Sequence, residues 1–273
     1  MTAFFKISGA GNDFIALVEP SPAPTPATIE AWCRRSLSLG ADGLFTLERM
    51  AEGARMVHFN ADGGRSELCL NGSRCAAQLA FHLGWGRGEE LLLKTDAGPL
   101  HAQRLDNNAV SLALPPGLVD LPSRLNLEVE GQSFEVWGVS VGVPHGVLQW
   151  PGGLANAPVT TLGPALRSHP GLGPAGANIH FVHFQGKDRF EIRSFERGVE
   201  AETLACGTGT VASVAVGLTL GKLTLSATAI TAGGFELIVD GRFEDGRLDR
   251  ARLGGDARLV AHGELLPGSM WIP

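Results

Sequence analysis

Two segments of the chain, residues 55–59 and 189–195, alternate apolar and polar side chains and therefore predict half-buried β-strands. Each segment runs into a glycine-containing loop, which is followed by a stretch of small and apolar residues, 69–84 and 206–221. These stretches carry few charges and end at a glycine, a pattern typical of a buried helix with a glycine C-cap. Shorter apolar runs bounded by glycine or aspartate predict further strands at 91–94, 134–141 and 235–239.

The strand–loop–helix pattern belongs to an internal duplication. Three pairs of segments resemble each other in the same order along the chain: 9–15 with 142–148, 40–45 with 176–181, and 69–72 with 206–209. Their offsets are nearly constant, as expected for a duplicated unit. A proline-rich crossover, residues 115–122, separates the copies. We therefore predict an α/β (α+β) fold of two pseudo-symmetric halves, each a curved, mostly antiparallel sheet around a central helix, with the active site in the cleft between them.

The composition narrows the class of protein. The chain has 273 residues, of which 44% are apolar and 18% charged, as in a globular protein with a substantial core. A net charge of −6 without a basic cluster excludes nucleic acid and anionic membranes as expected partners. We find neither a signal-peptide pattern nor a membrane span, so we expect a cytoplasmic protein. The four cysteines are too scattered for a disulfide framework or a zinc site, and we expect free thiols.

Cys69 and Cys206 occupy matching places at the start of the two predicted helices. Free backbone N–H groups and the positive end of the helix dipole lower the pKa of a thiol there from its reference of about 8.5. The adjoining glycine-containing loops let backbone amides approach a carboxylate. If the two loops face each other, one sulfur removes the α-proton of an amino acid and the other returns a proton to the opposite face. The pattern thus predicts an amino-acid racemase or epimerase, whereas Cys33 and Cys75 are interpreted as packing residues.

At these residues the chain resembles the diaminopimelate epimerase family. The matching segments are GAGNDF (9–14), GADGL (40–44), FNADG (59–63), CLNGSRC (69–75), GVPH (142–145), AN (177–178) and ERGVEAETLACGTG (196–209). The resemblance implies that a last strand, 262–273, returns to an N-terminal half of residues 1–114, while residues 115–261 form the other half. It implies a homodimer that acts on a small-molecule substrate without pyridoxal phosphate, any other cofactor or a metal. The implied reaction converts LL-2,6-diaminopimelate to the meso isomer for lysine and peptidoglycan synthesis.

The resemblance also implies the roles of individual residues. Cys69 and Cys206 are the catalytic acid/base pair, and His145 is an auxiliary residue beside the thiols and the substrate amine, as is Glu196. The substrate-binding residues are Asn12, Asn60, Leu70, Asn71, Asn178, Glu196, Arg197, Gly207 and Thr208.

Several positions depart from the commoner pattern of this family. Leu70 follows the first cysteine where glycine is usual, Val143 replaces an asparagine, Gly43 replaces a glutamine of some relatives, and the Glu196–Cys206 loop is one residue longer. These changes leave open a racemase of another amino acid, such as histidine, on the same fold. A proline-racemase-type enzyme also uses two cysteines, but its surrounding motifs differ from ERGVEAETLACGTG. A non-catalytic amino-acid-binding module is a further alternative, against which the retention of both cysteines argues. A thiol redox protein is the last, although the chain lacks a Cys-x-x-Cys motif.

Overall fold

Strands dominate the part of the chain that the structure describes, and four α-helices interrupt them. The computed structural model describes residues 2–66, 68–106 and 108–269. The elements up to residue 113 are β1 (Thr2–Gly9), β2 (Asn12–Val18), α1 (Pro26–Cys33), β3 (Gly43–Arg49), β4 (Ala54–Asn60), β5 (Arg65–Ser66), α2 (Leu70–His82), β6 (Glu90–Thr95), β7 (Gly98–Asp106) and β8 (Ala109–Ala113). Those that follow are β9 (Ser123–Val129), β10 (Gln132–Ser140), β11 (Pro144–Gln149), α3 (Val159–Arg167), β12 (Asn178–Phe184), β13 (Arg189–Glu196), β14 (Ala201–Thr203), α4 (Gly207–Thr219), β15 (Ala227–Thr231), β16 (Glu236–Glu244), β17 (Arg247–Asp256) and β18 (Arg258–Leu265), with short 3₁₀ helices at Pro170–Leu172 and Pro267–Ser269.

These elements form two units, residues 1–113 with 255–273 and residues 114–254. In the first unit β18, β1 and β2 are antiparallel neighbours, and β2 then pairs in parallel with β3. In the second unit β9, β10 and β11 are antiparallel neighbours, and β11 pairs in parallel with β12. The remaining pairs repeat as well: β3–β4 and β12–β13 are antiparallel, whereas β4–β6 and β13–β15 are parallel. The predicted mostly antiparallel α/β architecture is therefore confirmed.

Strand β18 has the same position in the first unit that β9 has in the second, since each is the antiparallel neighbour of the first strand of its hairpin. It pairs with the outer edge of β1, where Phe5 lies opposite His262, and so covers that edge of the sheet. The paired strand begins at Arg258, ahead of the segment 262–273 expected to return. Residues 270–273 of that segment lie outside the described part of the chain.

A buried helix fills the centre of each unit. Helix α2 packs against β1–β4, β6–β8 and β18, and α4 packs against β10, β11, β12 and β16. Their small side chains let the strands approach closely, and almost every residue of both helices is buried. Each helix ends in a glycine of positive φ, Gly84 at +72° and Gly221 at +63°, in a Schellman turn closed by the N–H groups of Trp85 and Lys222. The glycine C-caps predicted from the sequence are present. None of the helices in the described residues is long and apolar enough to cross a membrane.

Candidate active site

Cys69 is the N-cap residue of α2. Its backbone is extended, its side chain is half-buried, and its Sγ accepts the backbone N–H of Gly72 at 3.4 Å. The sulfur thus lies at the positive end of the helix dipole, beside amides that the helix itself leaves free. This is the placement that the sequence predicts for Cys69.

Asn12 and Asn71 are joined directly within the first unit. Asn71 Nδ2 donates to Asn12 Oδ1 at 2.6 Å, and Asn12 Nδ2 donates to Asp42 Oδ2 at 3.1 Å. Arg74 Nη2 donates to Asn71 Oδ1 at 2.8 Å. The two asparagines predicted to bind substrate are therefore held in one network, whose orientation the buried guanidinium of Arg74 sets.

Arg74 is a residue of this site that sequence reasoning missed. It lies one turn after Cys69, and its side chain is fully buried. Burial lowers its pKa, while the charges of Cys75, of Asp256 and, to a smaller extent, of Cys69 act in the opposite direction. The sequence did contain a signal for Arg74, which is an arginine in the middle of an otherwise uncharged, buried helix. Arginine is almost never fully buried without a partner. Its cation favours a negative charge on the sulfur of Cys69.

Three other positions of the first unit have plain structural explanations. Leu70 is the first residue of α2, has no positive φ and buries its side chain, so the bulkier residue fits there without strain. Asn60 ends β4 and is exposed. A Cβ on Gly43 would lie 2.6 Å from the carbonyl oxygen of Phe59 and 3.3 Å from His58 Nε2. A larger side chain, such as the glutamine of some relatives, therefore does not fit at Gly43 without a shift of the backbone.

Cys206 is the N-cap residue of α4, the same place that Cys69 has on α2, but its environment differs. The side chain is buried, and its Sγ lies 3.7 Å from Thr208 Oγ1. Burial raises the pKa of the Cys206 thiol well above its ordinary range, and the charge of Glu196 raises it further. The amide of Gly209 and the hydroxyl of Thr208 act against this shift but do not reverse it. The expectation that the helix terminus lowers the pKa of both thiols is therefore wrong for Cys206, because burial and a neighbouring carboxylate outweigh the dipole.

Glu196 is the group that holds the proton of Cys206. Its carboxylate accepts the hydroxyl of Thr203 and the thiol of Cys206, and burial raises its pKa. Thr203 belongs to β14, which a pair of hydrogen bonds from Arg193 to Glu202, at 2.6 and 2.7 Å, anchors against β13. The long loop between Glu196 and Cys206 is thus ordered by a short strand.

Arg197 presents a cation without an internal partner. In the part of the chain that the structure describes, its half-buried side chain has neither an ion pair nor a hydrogen bond, whereas its backbone N–H donates to Asn178 Oδ1 at 2.8 Å. Asn178 begins β12 and is buried. Its side chain therefore fixes the turn that carries Arg197 and leaves the guanidinium available for an anion.

His145 lies in β11 and is almost completely buried, and it belongs to a chain of polar groups that sequence reasoning missed. Its Nδ1 is 2.8 Å from His180 Nε2, and His180 Nδ1 is 2.8 Å from Ser194 Oγ. The signal for His180 was available in the sequence, since it follows Asn178 by two residues and so faces the same side of the strand.

The predicted residues therefore fall into two sets, one in each unit. The first unit holds Asn12, Asn60, Cys69, Leu70 and Asn71, and the second holds His145, Asn178, Glu196, Arg197, Cys206, Gly207 and Thr208. Gly207 and Thr208 are the first two residues of α4 and follow its N-cap, so their N–H groups are among those that a helix leaves without an internal partner.

We expect iodoacetamide to modify Cys69 before the other three cysteines. Cys69 is half-buried, whereas Cys33, Cys75 and Cys206 are buried. Burial raises the pKa of Cys33 to about 11 and also raises the pKa values of Cys75 and Cys206, and a raised pKa means less reactive thiolate at any given pH.

Timed alkylation near neutral pH, followed by peptide mass spectrometry, measures the four rates. The modification of Cys206 should accelerate as the pH rises toward its raised pKa, and the protein unfolded in guanidinium is the control in which all four thiols react. Equal rates for Cys69 and Cys206 in the folded protein at neutral pH would contradict the environments described above.

Two solved structures share this fold. A phenazine biosynthesis protein of the PhzF family from Enterococcus faecalis has a TM-score of 0.73 at 18% identity, over 97% of this chain and 99% of that one. A probable proline racemase from Agrobacterium radiobacter K84 has a TM-score of 0.68 at 17% identity, over 98% and 93% of the two chains. At these identities the likeness concerns the fold alone, which is the α/β fold that occurs in racemase-type proteins.

The sequence comparison is more specific. The family model described as diaminopimelate epimerase matches residues 4–114 and 138–245. The diaminopimelate epimerase of Gemmatimonas aurantiaca is 35% identical over 278 residues, which cover 96% of this chain and 99% of that protein. The chain belongs to the diaminopimelate epimerase family, and it is accordingly an amino-acid epimerase.

Proposed function

We propose that the protein converts LL-2,6-diaminopimelate to meso-diaminopimelate, with Cys69 and Cys206 as the acid/base pair that acts on the two faces of one α-carbon. The observation that supports this most is that a cysteine caps the central helix of each unit, at matching places of a repeated fold. Inversion at an α-carbon needs one group to remove a proton and a second group to return one to the opposite face. A thiolate and a thiol supply both without a further acid or base.

The two thiols differ in their resting protonation. Cys206 hydrogen-bonds to Glu196 and keeps its proton, so it begins as the acid. Cys69 accepts an amide N–H at the helix terminus, and the cation of Arg74 favours its negative charge, so it begins as the base. One turnover moves the α-proton to Cys69 and the proton of Cys206 to the product. The pair is then in the state that starts the reverse reaction.

The helix termini also supply electrostatic stabilisation. Removal of the α-proton places negative charge on the substrate carboxylate, and preorganised N–H donors lower the energy of such a state. The amides of Leu70, Asn71, Gly207 and Thr208 are the donors that we assign to this carboxylate. The free guanidinium of Arg197, together with Asn60 and Asn178, is assigned to the far end of the substrate, where a second carboxylate suits a planar cation.

The wider setting of the reaction is part of the same proposal. The two-thiol chemistry needs no pyridoxal phosphate, because the thiols and amides perform the proton transfer and the charge stabilisation. We propose that the product is a precursor of lysine and peptidoglycan and that the enzyme acts in the cytoplasm. We propose a homodimer as the working state.

A second candidate is the racemisation of another amino acid, such as histidine. Val143 favours it, because this half-buried residue directly before β11 brings no polar side chain where many members of the family carry asparagine. A substrate site that loses one polar contact discriminates less strongly in favour of a polar substrate.

The incorporation of α-deuterium decides between these candidates. We expect reduced protein in heavy water, without added cofactor, to exchange the α-hydrogen of LL-diaminopimelate and to produce the meso isomer, as read by NMR and chiral chromatography. Histidine and lysine are incubated in parallel. Exchange confined to another amino acid would keep the two-thiol chemistry but overturn the substrate. No exchange into any of them, from folded and reduced protein, would overturn the proposed function.

A further inference from the structure

The buried chain that runs from Ser194 through His180 to His145 joins three adjacent strands of the second unit. The two imidazole rings lie with their centroids 5.0 Å apart and their planes 39° from parallel, and all three side chains are buried. His145 Nε2 is a buried atom that has no hydrogen-bond partner within the described residues. Buried polar atoms are nearly always paired, so an orphaned nitrogen at the end of an ordered chain calls for a ligand.

The first unit has three aromatic side chains at the equivalent positions. Phe14 lies opposite Gly43 as His145 lies opposite Asn178, and the registers place Phe45 and His58 where the second unit has His180 and Ser194. Phe14 packs against Phe45 and against His58, with centroid distances of 6.2 and 5.7 Å. An aromatic cluster therefore fills the same place in one unit where the other unit has a hydrogen-bonded chain.

Burial favours the neutral form of both His145 and His180. Burial lowers the pKa of His180 to about 3, and burial lowers that of His145 well below its ordinary range, with the charges of His180 and Arg197 adding to the effect. The contact between His145 Nδ1 and His180 Nε2 contains one proton, because one nitrogen must donate and the other must accept. Two arrangements are therefore possible. Either His180 Nε2–H donates to His145 Nδ1, or His145 Nδ1–H donates to His180 Nε2.

The hydroxyl of Ser194 distinguishes the two arrangements. In the first, Ser194 O–H donates to His180 Nδ1, and His145 Nε2–H is the only donor left without a partner. In the second, His180 Nδ1–H donates to Ser194 Oγ, and the serine hydrogen needs another acceptor. Ser194 makes no second side-chain hydrogen bond within the described residues. The second arrangement thus leaves one donor and one acceptor unpaired, and an unpaired buried group costs about 1–3 kcal/mol.

We propose that Ser194 and His180 are positioning residues, which hold His145 as a neutral Nε2–H donor for a hydrogen-bond acceptor of the bound amino acid, rather than for the substrate amine that the family resemblance implies. This inference rests on the proposed function for the identity of the ligand, but not for the tautomer. It makes His145 a hydrogen-bond donor rather than a proton-accepting base.

Helix α4 holds the middle ring of this chain in place. Gly209, in its first turn, lies directly against the His180 ring, so closely that no Cβ fits between them. The equivalent Gly72 of α2 is less crowded, because a Cβ there would lie 3.2 Å from His58 Cδ2 and Met56 Cε. This contact restricts the His180 ring while α4 is in place, so the orientation of the donor is linked to the helix that follows Cys206.

Nitrogen-15 NMR of the unliganded protein tests the tautomer without any assay of activity. In the wild-type protein we expect His145 to carry its proton on Nε2 and to accept a hydrogen bond at Nδ1. Ser194→Ala should produce a mixture of tautomers at His145, and Ser194→Thr, which keeps the hydroxyl, should restore the wild-type signals. His58→Phe removes a buried histidine of the other unit and should leave the signals of His145 unchanged.

Kinetics with the substrate identified by deuterium exchange provide the second measurement. His180→Phe copies the aromatic cluster of the first unit. We expect it to lower kcat about 10- to 100-fold, the range found in metal sites when a residue that orients a ligating side chain is replaced. The KM should change less than kcat, and thermal melting shows whether the variant is folded. Protonation of His145 at Nδ1 in the wild-type protein, or unchanged signals in folded Ser194→Ala, would overturn the inference even if the substrate assignment held. If no substrate is found, the NMR measurement on the unliganded protein still tests the tautomer of His145.

Discussion

Replacement of Cys69 or Cys206 by alanine should abolish epimerisation while leaving the protein folded. A positioned acid or base contributes about 10²–10⁴-fold to a proton transfer, and each thiol serves in every turnover, so we expect each variant to lose at least about 10³-fold in kcat. Both residues occupy N-cap positions, and the side chain of Cys69 makes a capping hydrogen bond. The loss of such a cap costs about 1 kcal/mol, which is small against the stability of a chain this size. The rate of conversion of LL-diaminopimelate, followed by chiral chromatography, measures the effect.

The stereochemistry of residual exchange gives a sharper test of the pair. A variant with one thiol can remove and return a proton on one face only, so deuterium that still enters should do so with retention of configuration. The two alanine variants should act on opposite configurations. Cys33→Ala is the matched control, because Cys33 is a buried residue at the end of α1, outside the proposed site. Its replacement should leave kcat within about twofold of the wild-type value. Inversion at an undiminished rate by either single variant would contradict the two-thiol mechanism.

The second large effect is expected for Gly209→Ala. A methyl group at this position would enter the space of the His180 ring, so either the ring or the first turn of α4 must shift. Overpacking of this kind costs about 1–3 kcal/mol, which exceeds the gain of up to about 1 kcal/mol in helix propensity. A shift of the ring changes the orientation of His145, and a shift of the first turn displaces Cys206, so in either case we expect kcat to fall about 10²-fold in addition to a lower melting temperature.

Gly72→Ala provides the matched control in the other helix. There the nearest atoms lie 3.2 Å from the added carbon, and one of them ends the flexible side chain of Met56, so the change in stability should stay below about 1 kcal/mol. Calorimetry of both variants makes the comparison. The double variant with His180→Ala should recover the stability lost in Gly209→Ala, because it removes the ring that the methyl group strikes. Equal melting temperatures for Gly209→Ala and the wild-type protein would show that the close packing at His180 is not rigid.

Sequence patterns predicted the repeated architecture well because the duplicated segments carry local signals. The alternating strands at 55–59 and 189–195, the apolar helices and the glycine C-caps each depend on residues close together in the chain, and all of them are present in the structure. The repeat also showed that a cysteine lies at the N-terminus of each central helix. The offset between the copies was less informative: it matches His145 to Asn12, whereas the strand registers match it to Phe14. The turns between β1 and β2 and between β10 and β11 differ in length, and a fixed offset does not detect such a difference.

The sequence by itself determined the family, the α/β class, the places of Cys69 and Cys206, and the helix termini that carry them. Only the tertiary structure decided how these equivalent thiols differ. One is half-buried and near the cation of Arg74, while the other is buried and bonded to Glu196, so its pKa is raised rather than lowered. The structure alone also joined His145, His180 and Ser194. The physical reason is the range of the interactions: capping and periodicity act over a few residues, whereas burial, charge and hydrogen bonding depend on groups that lie far apart in sequence and meet only after folding.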